Sequence, residues 1–371
     1  MAERPLTAAA QVADIAWARA RFGEHAAVLV ETVLLRRRAM GKLPDAGQWL
    51  FTDDALQQAT AAPVAAHRAR RLAGAVVHDV TCSIGTELAA LRDSAAGLIG
   101  SDIDPVRLAM ARHNLGPDVL LCRADALAPV TRDCVVVADP ARRSSGRRRF
   151  DPRDYVPALD SLLAAYAGRD LVVKCAPGID FAALPDMGFA GEVAVTSLGG
   201  NVREACLWSP GLTDPAVSRR ATVLDKTGRL AFELTDVDPD DCPAAPAGRW
   251  IVDPDGAVVR AGLVRHYAAR HGLWQLDPAI AYLTGNELPS GVRGFEVIEE
   301  IPFQEKRLRQ ALGAHGASAV EILVRGVDVD PDALRLRLKV KGSGAPLSVV
   351  ITRIGAGAAS RSVAFICRPS R

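Results

Sequence analysis

Hydrophobic positions change their period along the chain, and the changes mark out its elements. Over residues 1 to 73 they recur at helical spacing: Val12, Ile15, Ala16 and Ala20 share one face, and Val28 to Leu35 continues the pattern. A break follows at Gly41 to Gly47. Thr52 then precedes Asp53 and Asp54, an N-cap with acids in the first turn, and predicts a helix running towards Arg71. From Gly74 to about Gly211 short apolar runs alternate with helical patterns. Strands are expected at 75–80, 97–102, 118–122, 134–139, 170–175, 191–197 and 203–209, and helices at 86–94, 105–114, 154–167 and 179–185. Gly199-Gly200-Asn201 reads as a hairpin turn, which makes the last of these strands antiparallel to its neighbour.

Beyond residue 214 the texture shifts. Hairpins are expected at Arg220 to Leu234 and at Arg249 to Val264, the second turning at Asp253-Pro254-Asp255-Gly256. Helices are expected at Ala279–Leu283 and Gln304–Gly313, and strands at Ala319–Arg325, Ser348–Ile354 and Ser362–Cys367. The alternation from Leu334 to Lys341 fits a strand, but Asp330-Pro331 and Gly342 are helix start and stop signals, and the helix is preferred. The chain is thus expected to hold an N-terminal helical region (1–73), an α/β domain with a Rossmann-like seven-stranded sheet (74–213) and a C-terminal α+β domain (214–371).

Everything is organised around Val76 to Asp104. An apolar run ends in a turn with one glycine, Gly85; an Ala/Leu-rich helix follows, and a second apolar run ends on Asp102. In such a βαβ unit the turn brings a ligand close to backbone and helix N-terminus, and the second-strand carboxylate accepts hydrogen bonds from ribose hydroxyls. No G-x-G-x-x-G follows the first strand, which disfavours a nicotinamide dehydrogenase.

Four motifs then carry a resemblance. Val77-His78-Asp79 with the loop to Gly85 resembles the first motif of class I S-adenosylmethionine-dependent methyltransferases. Gly100-Ser101-Asp102-Ile103-Asp104-Pro105, followed by Leu108, Ala109, Ala111, Arg112 and Asn114, resembles the second. Arg123-Ala124-Asp125-Ala126 resembles the third and Asp139-Pro140-Ala141-Arg142 the fourth. The resemblance implies S-adenosylmethionine as cofactor: Asp79, Cys82 and Gly85 beside its methionine part, Asp102 and Ile103 at the ribose, Asp125 and Ala126 at the adenine. It implies Asp139 and Pro140 as the catalytic pair, a side-chain oxygen and a carbonyl accepting the two hydrogens of an amino group. Ser83 and Thr86 stand where glycine is usual, Ala141 replaces a second proline and Arg142 an aromatic, for which Phe150 or Tyr155 are alternatives. The tail resembles the THUMP-like domain attached to a group of bacterial methyltransferases, distantly similar to guanine-N2 enzymes of the trimethylguanosine synthase type. RNA, tRNA or rRNA, is the partner this implies.

Charge sharpens the picture locally. The net charge is only +2, so any nucleic-acid surface must be concentrated. RRSSGRRR supplies it with Arg142, Arg143, Arg147, Arg148 and Arg149, expected to hold phosphate or base where the methyl is presented. Lys306, Arg307, Arg309, Arg335, Arg337, Lys339 and Lys341 would add a second surface, whereas Arg36 to Arg38 and Arg68 to Arg71 read as solvated helix faces. Lys174 and Cys175 end a strand and read as structural; Asn201, Arg203 and Glu204, near the last hairpin, are within reach of a substrate pocket, but turn residues are the preferred reading. The seven cysteines show no C-x-x-C pair and the seven histidines no metal spacing, so no metal is expected. No segment is long and apolar enough to span a bilayer, and the start is not a signal peptide, which points to a soluble cytoplasmic protein. The expected activity is methylation of a base nitrogen, a purine amino or ring nitrogen, in RNA. The alternatives are a small-molecule or protein acceptor, and a non-catalytic RNA-binding protein with a degenerate donor site.

Overall fold

Strands that read as unbroken apolar runs need cover on both faces, and the first sheet supplies it. The computed structural model describes residues 1, 3–43, 46–142 and 152–370; Arg143, Arg147, Arg148, Arg149 and Phe150 therefore lie outside the described residues. By contacts the chain divides into two compact units, one of residues 1–218 and 222–233, the other of 219–221 and 234–371.

The first unit opens with helices α1 (Gln11–Phe22), α2 (Ala26–Ala39), α3 (Asp53–Gln58) and α4 (Ala62–Arg71). The single helix expected from Asp53 to Arg71 is two. Thr52 caps α3 by accepting from the Ala55 amide (3.1 Å), the backbone is extended at Ala59 and Ala61, and Pro63 opens α4. There follow β1 (Val76–Asp79), α5 (Thr86–Leu91), β2 (Gly97–Asp102), α6 (Pro105–Leu115), β3 (Leu120–Arg123), β4 (Val135–Ala138), β5 (Ala141–Arg142), β6 (Tyr155–Val156), α7 (Leu159–Ala165), β7 (Leu171–Cys175), β8 (Glu192–Leu198) and β9 (Asn201–Trp208). Two more strands, β10 (Arg219–Leu224) and β11 (Leu230–Thr235), complete a nine-stranded sheet ordered β11-β10-β8-β9-β7-β4-β1-β2-β3.

Strands β3, β2, β1, β4 and β7 are parallel, and β9 runs antiparallel to both β7 and β8. Strand order reverses between β1 and β4, and a crevice opens beyond the carboxyl ends of strands at such a switch point. Val77, Val137, Val172, Leu91 and Trp208 pack the core beside it. Gly199 and Gly200, at φ +59° and +82°, make the expected β8–β9 turn. The helix expected at 154–167 is shorter: Tyr155 and Val156 instead pair with Ala141 and Arg142, and α7 starts only after Pro157. The helix expected at 179–185 is reduced to single turns at Phe181–Ala183 and Pro185–Met187. The hairpin expected at 220–234 extends this first sheet.

In the second unit β12 (Trp250–Val252) leads to α8 (Gly256–Ala261), α9 (Val264–His271), β13 (Trp274–Gln275), β14 (Leu283–Gly285), β15 (Gly294–Pro302), α10 (Glu305–Ala314), β16 (Val320–Arg325), α11 (Pro331–Leu338), β17 (Leu347–Ile354) and β18 (Arg361–Pro369). Asp253 to Gly256 is not a hairpin turn. Asp255 accepts from the Ala257 amide (2.8 Å) and starts α8. No helix forms at Ala279–Leu283, which leads into β14. The ambiguous LRLRLKVK stretch is helical: Asp330 caps it through the amides of Asp332 and Ala333 (2.9 and 3.1 Å), burying Leu334 and Leu338 and exposing Leu336. Among the described residues no helix is long and apolar enough to cross a membrane.

Candidate active site

A cavity of about 630 Å³ lies at the carboxyl ends of β1 to β4, lined by Asp79, Cys82, Asp102, Ile103, Asp125, Ala126 and Asp139 among others. Residues the sequence singled out at successive strand ends thus share one wall. Asp79 is buried at 2 % exposure, and its Oδ1 accepts from the amide (3.0 Å) and hydroxyl (3.4 Å) of Thr81. Burial, then the neighbouring Glu87 carboxylate, raises its pKa to about 8. Asp102 accepts from the Ser83 amide through Oδ2 and from the Asp104 amide through Oδ1, both at 2.9 Å. Each oxygen keeps a lone pair for a further donor.

Ser83 stands where glycine was expected, and its backbone is left-handed (φ +48°). The turn keeps its shape because the Ser83 amide is held by Asp102, an interaction that offsets the strain of a non-glycine residue there. Gly85 does not line the cavity. Its φ is +89° and a Cβ would lie 2.6 Å from the Leu115 side chain, so it serves the start of α5 and the packing beneath. Cys82 is buried, and burial with the Asp79 and Asp102 carboxylates pushes its thiol up, which leaves it no nucleophile. Ile103, 62 % exposed, and Leu127 offer apolar surface on the wall. Asp125 is exposed and accepts from the Leu127 amide (2.9 Å).

Asp139 follows directly on β4, half-exposed, its amide donating to Thr81 Oγ1 (2.7 Å) and its Oδ2 accepting from Lys174. Lys174 is buried. Burial pulls its pKa down, but the Asp139 and Glu87 carboxylates outweigh burial and raise it, so the ammonium stays charged and is no nucleophile. Glu87 Oε2 lies 3.9 Å from Lys174 Nζ, and Glu87 also forms a bidentate pair with Arg68, whose Nε is 2.7 Å from Oε1. Arg68 reaches on to Glu204. Burial raises Glu87, yet Arg68 and Lys174 prevail and hold it below its ordinary value.

The solvated face expected at Arg68 to Arg71 is therefore wrong in part. Arg68 is 2 % exposed, on the same face of α4 as buried Val64, Ala65 and Ala69. Arg71 stacks over Trp208 (3.8 Å) and pairs with buried Glu192 (2.7 Å). Glu204, read as a turn residue, is buried too. The missed signal was the charge itself: Glu87 in an apolar helix, Lys174 in VVKCA and Glu204 in EACLW sit at inward positions, where a charge demands a partner. Cys175 is buried at the end of β7.

A second cavity of about 800 Å³ adjoins Asp139, with Lys42, Pro140, Lys174, Arg203 and Glu204 in its lining. Asp139, Lys174 and Tyr155 line both cavities. The Tyr155 ring is buried and its hydroxyl accepts from the Ala176 amide (2.8 Å), so it forms wall and not a free stacking platform. The ladder of β5 with β6 joins residue 142 to residue 155 at the rim of the first cavity. In the second unit Arg309 and Arg337 share Glu305, and Arg335 pairs with Asp332.

An uncharacterized S-adenosylmethionine-dependent methyltransferase of Mycobacterium tuberculosis, found in strains H37Rv and CDC 1551, is 66 % identical over 362 residues, covering 95 % of this chain and all of the relative. The chain belongs to the S-adenosylmethionine-dependent methyltransferases. The model of the THUMP domain-like family matches residues 292–369 of this methyltransferase. A crystal structure of a methyltransferase candidate from Porphyromonas gingivalis W83 shares its fold, with TM-score 0.76 at 22 % identity over 97 % of this chain and 98 % of that one. S-adenosylmethionine is its cofactor, and the first cavity has the hydrogen-bond acceptors such a molecule asks for. Asp79 is a buried carboxyl with no salt-bridge partner among the described residues, suited to an ammonium, and Asp102 keeps lone pairs for a diol.

Proposed function

We propose that this methyltransferase methylates a base nitrogen of RNA, a purine amino or ring nitrogen, with the donor in the first cavity and the base in the second. One observation carries the reading: Asp139 lines both cavities. Asp79 receives the donor's ammonium, Asp102 its ribose hydroxyls and Asp125 its adenine amino group, with Cys82, Ile103 and Ala126 against its faces and Gly85 holding the loop. When bound, S-adenosylmethionine supplies a methyl group already activated by its sulfonium.

The protein's part is alignment and exclusion of water. For an amino acceptor the free Asp139 oxygen and the Pro140 carbonyl accept its two hydrogens and turn the nitrogen lone pair towards the methyl. Lys174 fixes the other Asp139 oxygen, so the carboxylate has little freedom to rotate. As nitrogen gains the methyl it becomes positive; Asp139 faces that charge, and the proton passes through it to solvent. Arg142 closes β5, and Arg143 and Arg147 to Arg149 follow it in the sequence; these arginines would hold phosphate or base. The THUMP domain-like match supports an RNA acceptor.

The test compares modified nucleosides in total RNA from cells with and without the gene, and then transfer of labelled methyl to the RNA of the deletion strain. One methylated nucleoside should disappear with the gene and return in vitro. Identical nucleoside profiles, with label entering protein or small molecules instead, would overturn the RNA reading.

A further inference from the structure

The second cavity holds more positive charge than its carboxylates neutralise. Asp139 is engaged by Lys174, and Glu204 by Arg68 with Thr60 Oγ1 at 3.5 Å. Lys42 and Arg203, both in the lining, have no carboxylate partner among the described residues. Lys42 is half-buried, and its ammonium donates to the carbonyls of Leu56 and Gln57, each at 2.9 Å, at the end of α3. That leaves one of its three donors for a ligand. Capping a helix end accounts for Lys42 alone. It does not account for Arg203, which is exposed in β9 and whose side chain makes no hydrogen bond or ion pair among the described residues.

The two cations act on each other. Burial first, then Lys174 and Arg203, lower the Lys42 pKa, and Asp139 opposes them only in part. An anion entering between such groups relieves that repulsion, and a guanidinium with an ammonium is the usual pairing for phosphate oxygens.

We propose that Lys42 and Arg203 form a phosphate-binding pair in the second cavity, holding the phosphate of the nucleotide whose base meets Asp139. The inference rests on the RNA reading above and extends it. It assigns the N-terminal helical region, through the Lys42 turn after α2, a part in acceptor binding. It also separates two kinds of cation beside the site: Lys174, neutralised and fixed, and Lys42 with Arg203, open to a ligand.

The test uses the full-length protein with Lys42→Gln, Arg203→Gln and the double variant, each first checked for an unchanged thermal shift by S-adenosylhomocysteine. With RNA from the deletion strain as acceptor, the double variant should raise KM about tenfold or more, the scale of one charge-assisted hydrogen bond. Its effect on kcat should be smaller, and the slope of log KM against log salt should drop by about one. Unchanged KM and salt slope in folded, donor-binding variants would overturn the pair. If the wild type methylates no RNA, the RNA reading falls, and the pair is judged by guanosine and adenosine monophosphates on the S-adenosylhomocysteine complex. Stabilisation by either monophosphate but not by its nucleoside, lost in the double variant, supports the pair; equal responses of wild type and double variant refute it.

Discussion

The two sheets of this methyltransferase treat charge in opposite ways. In the second unit most ion pairs are peripheral: Arg309 and Arg337 on Glu305, Arg335 on Asp332 and Arg293 on Glu321 leave their guanidiniums about half exposed, and Arg325 with Asp253 is a more enclosed exception. Its core between α10, α11 and the sheet is Leu308, Leu312, Val349, Ala364 and Ile366. In the first unit Arg68, Glu87, Lys174 and Glu204 are all buried, in a chain that ends on Asp139. Burying ions costs several kcal/mol each, and an apolar replacement of equal shape is often no less stable. The difference teaches where fixed charge is wanted: directly beneath the carboxylate that faces both cavities, where dipoles held in place beforehand act most strongly.

Removing single partners breaks this comparison most sharply. Arg68→Ala strands two buried carboxylates and should cost about 3–5 kcal/mol in urea unfolding, whereas Arg337→Ala should cost about 0–1 kcal/mol. Similar losses at both positions would erase the distinction. Next in size is the donor side. S-adenosylhomocysteine at about a hundred times its Kd should stabilise the wild type by about 2.7 kcal/mol, and Asp102→Ala should abolish most of the shift.

Smaller, and dependent on pH, is the contribution of Asp79. In the folded chain it keeps its proton up to about pH 8, while unfolded it releases it near its ordinary 3.8. Folding therefore takes up a proton between those values, so the associated stability is full below the lower one, declines as pH rises and levels off above the upper. Asp79→Asn keeps the acceptor for Thr81 and removes the ionisation. Without donor its Tm should match the wild type near pH 4 and exceed it by a few degrees at pH 8.5, at the expense of donor binding. A constant Tm difference across that range would contradict the raised pKa.

Much of the first sheet was legible because period and length agree there: β1, β2, β4 and β7 are short apolar runs between helical patterns, and Asp102 and Asp139 stand at strand tips. The convergence of Asp79, Asp102 and Asp125 followed from that topology. The glycine-poor loop was harder, since nothing local says that Asp102 will hold Ser83 in a left-handed turn. The charge chain was hidden for another reason. Arg68 sits in a run of arginines of which Arg70 does face out, and only the fold brings Glu87 of α5 and Glu204 of β9 to it across 19 and 136 residues of chain. Asp253 to Gly256 misled because the same residues cap a helix or turn a hairpin, and the choice lies in what packs afterwards.

The proposed role of Asp139, joining donor to acceptor, is the centre of the mechanism. Its most direct test is Asp139→Ala, with S-adenosylhomocysteine affinity and methyl transfer to RNA of the deletion strain measured on one preparation. Affinity should stay within about threefold of wild type, while transfer should fall about a hundredfold or more, the usual scale for a positioned catalytic group. Transfer that survives the substitution, or affinity lost along with it, would contradict the account.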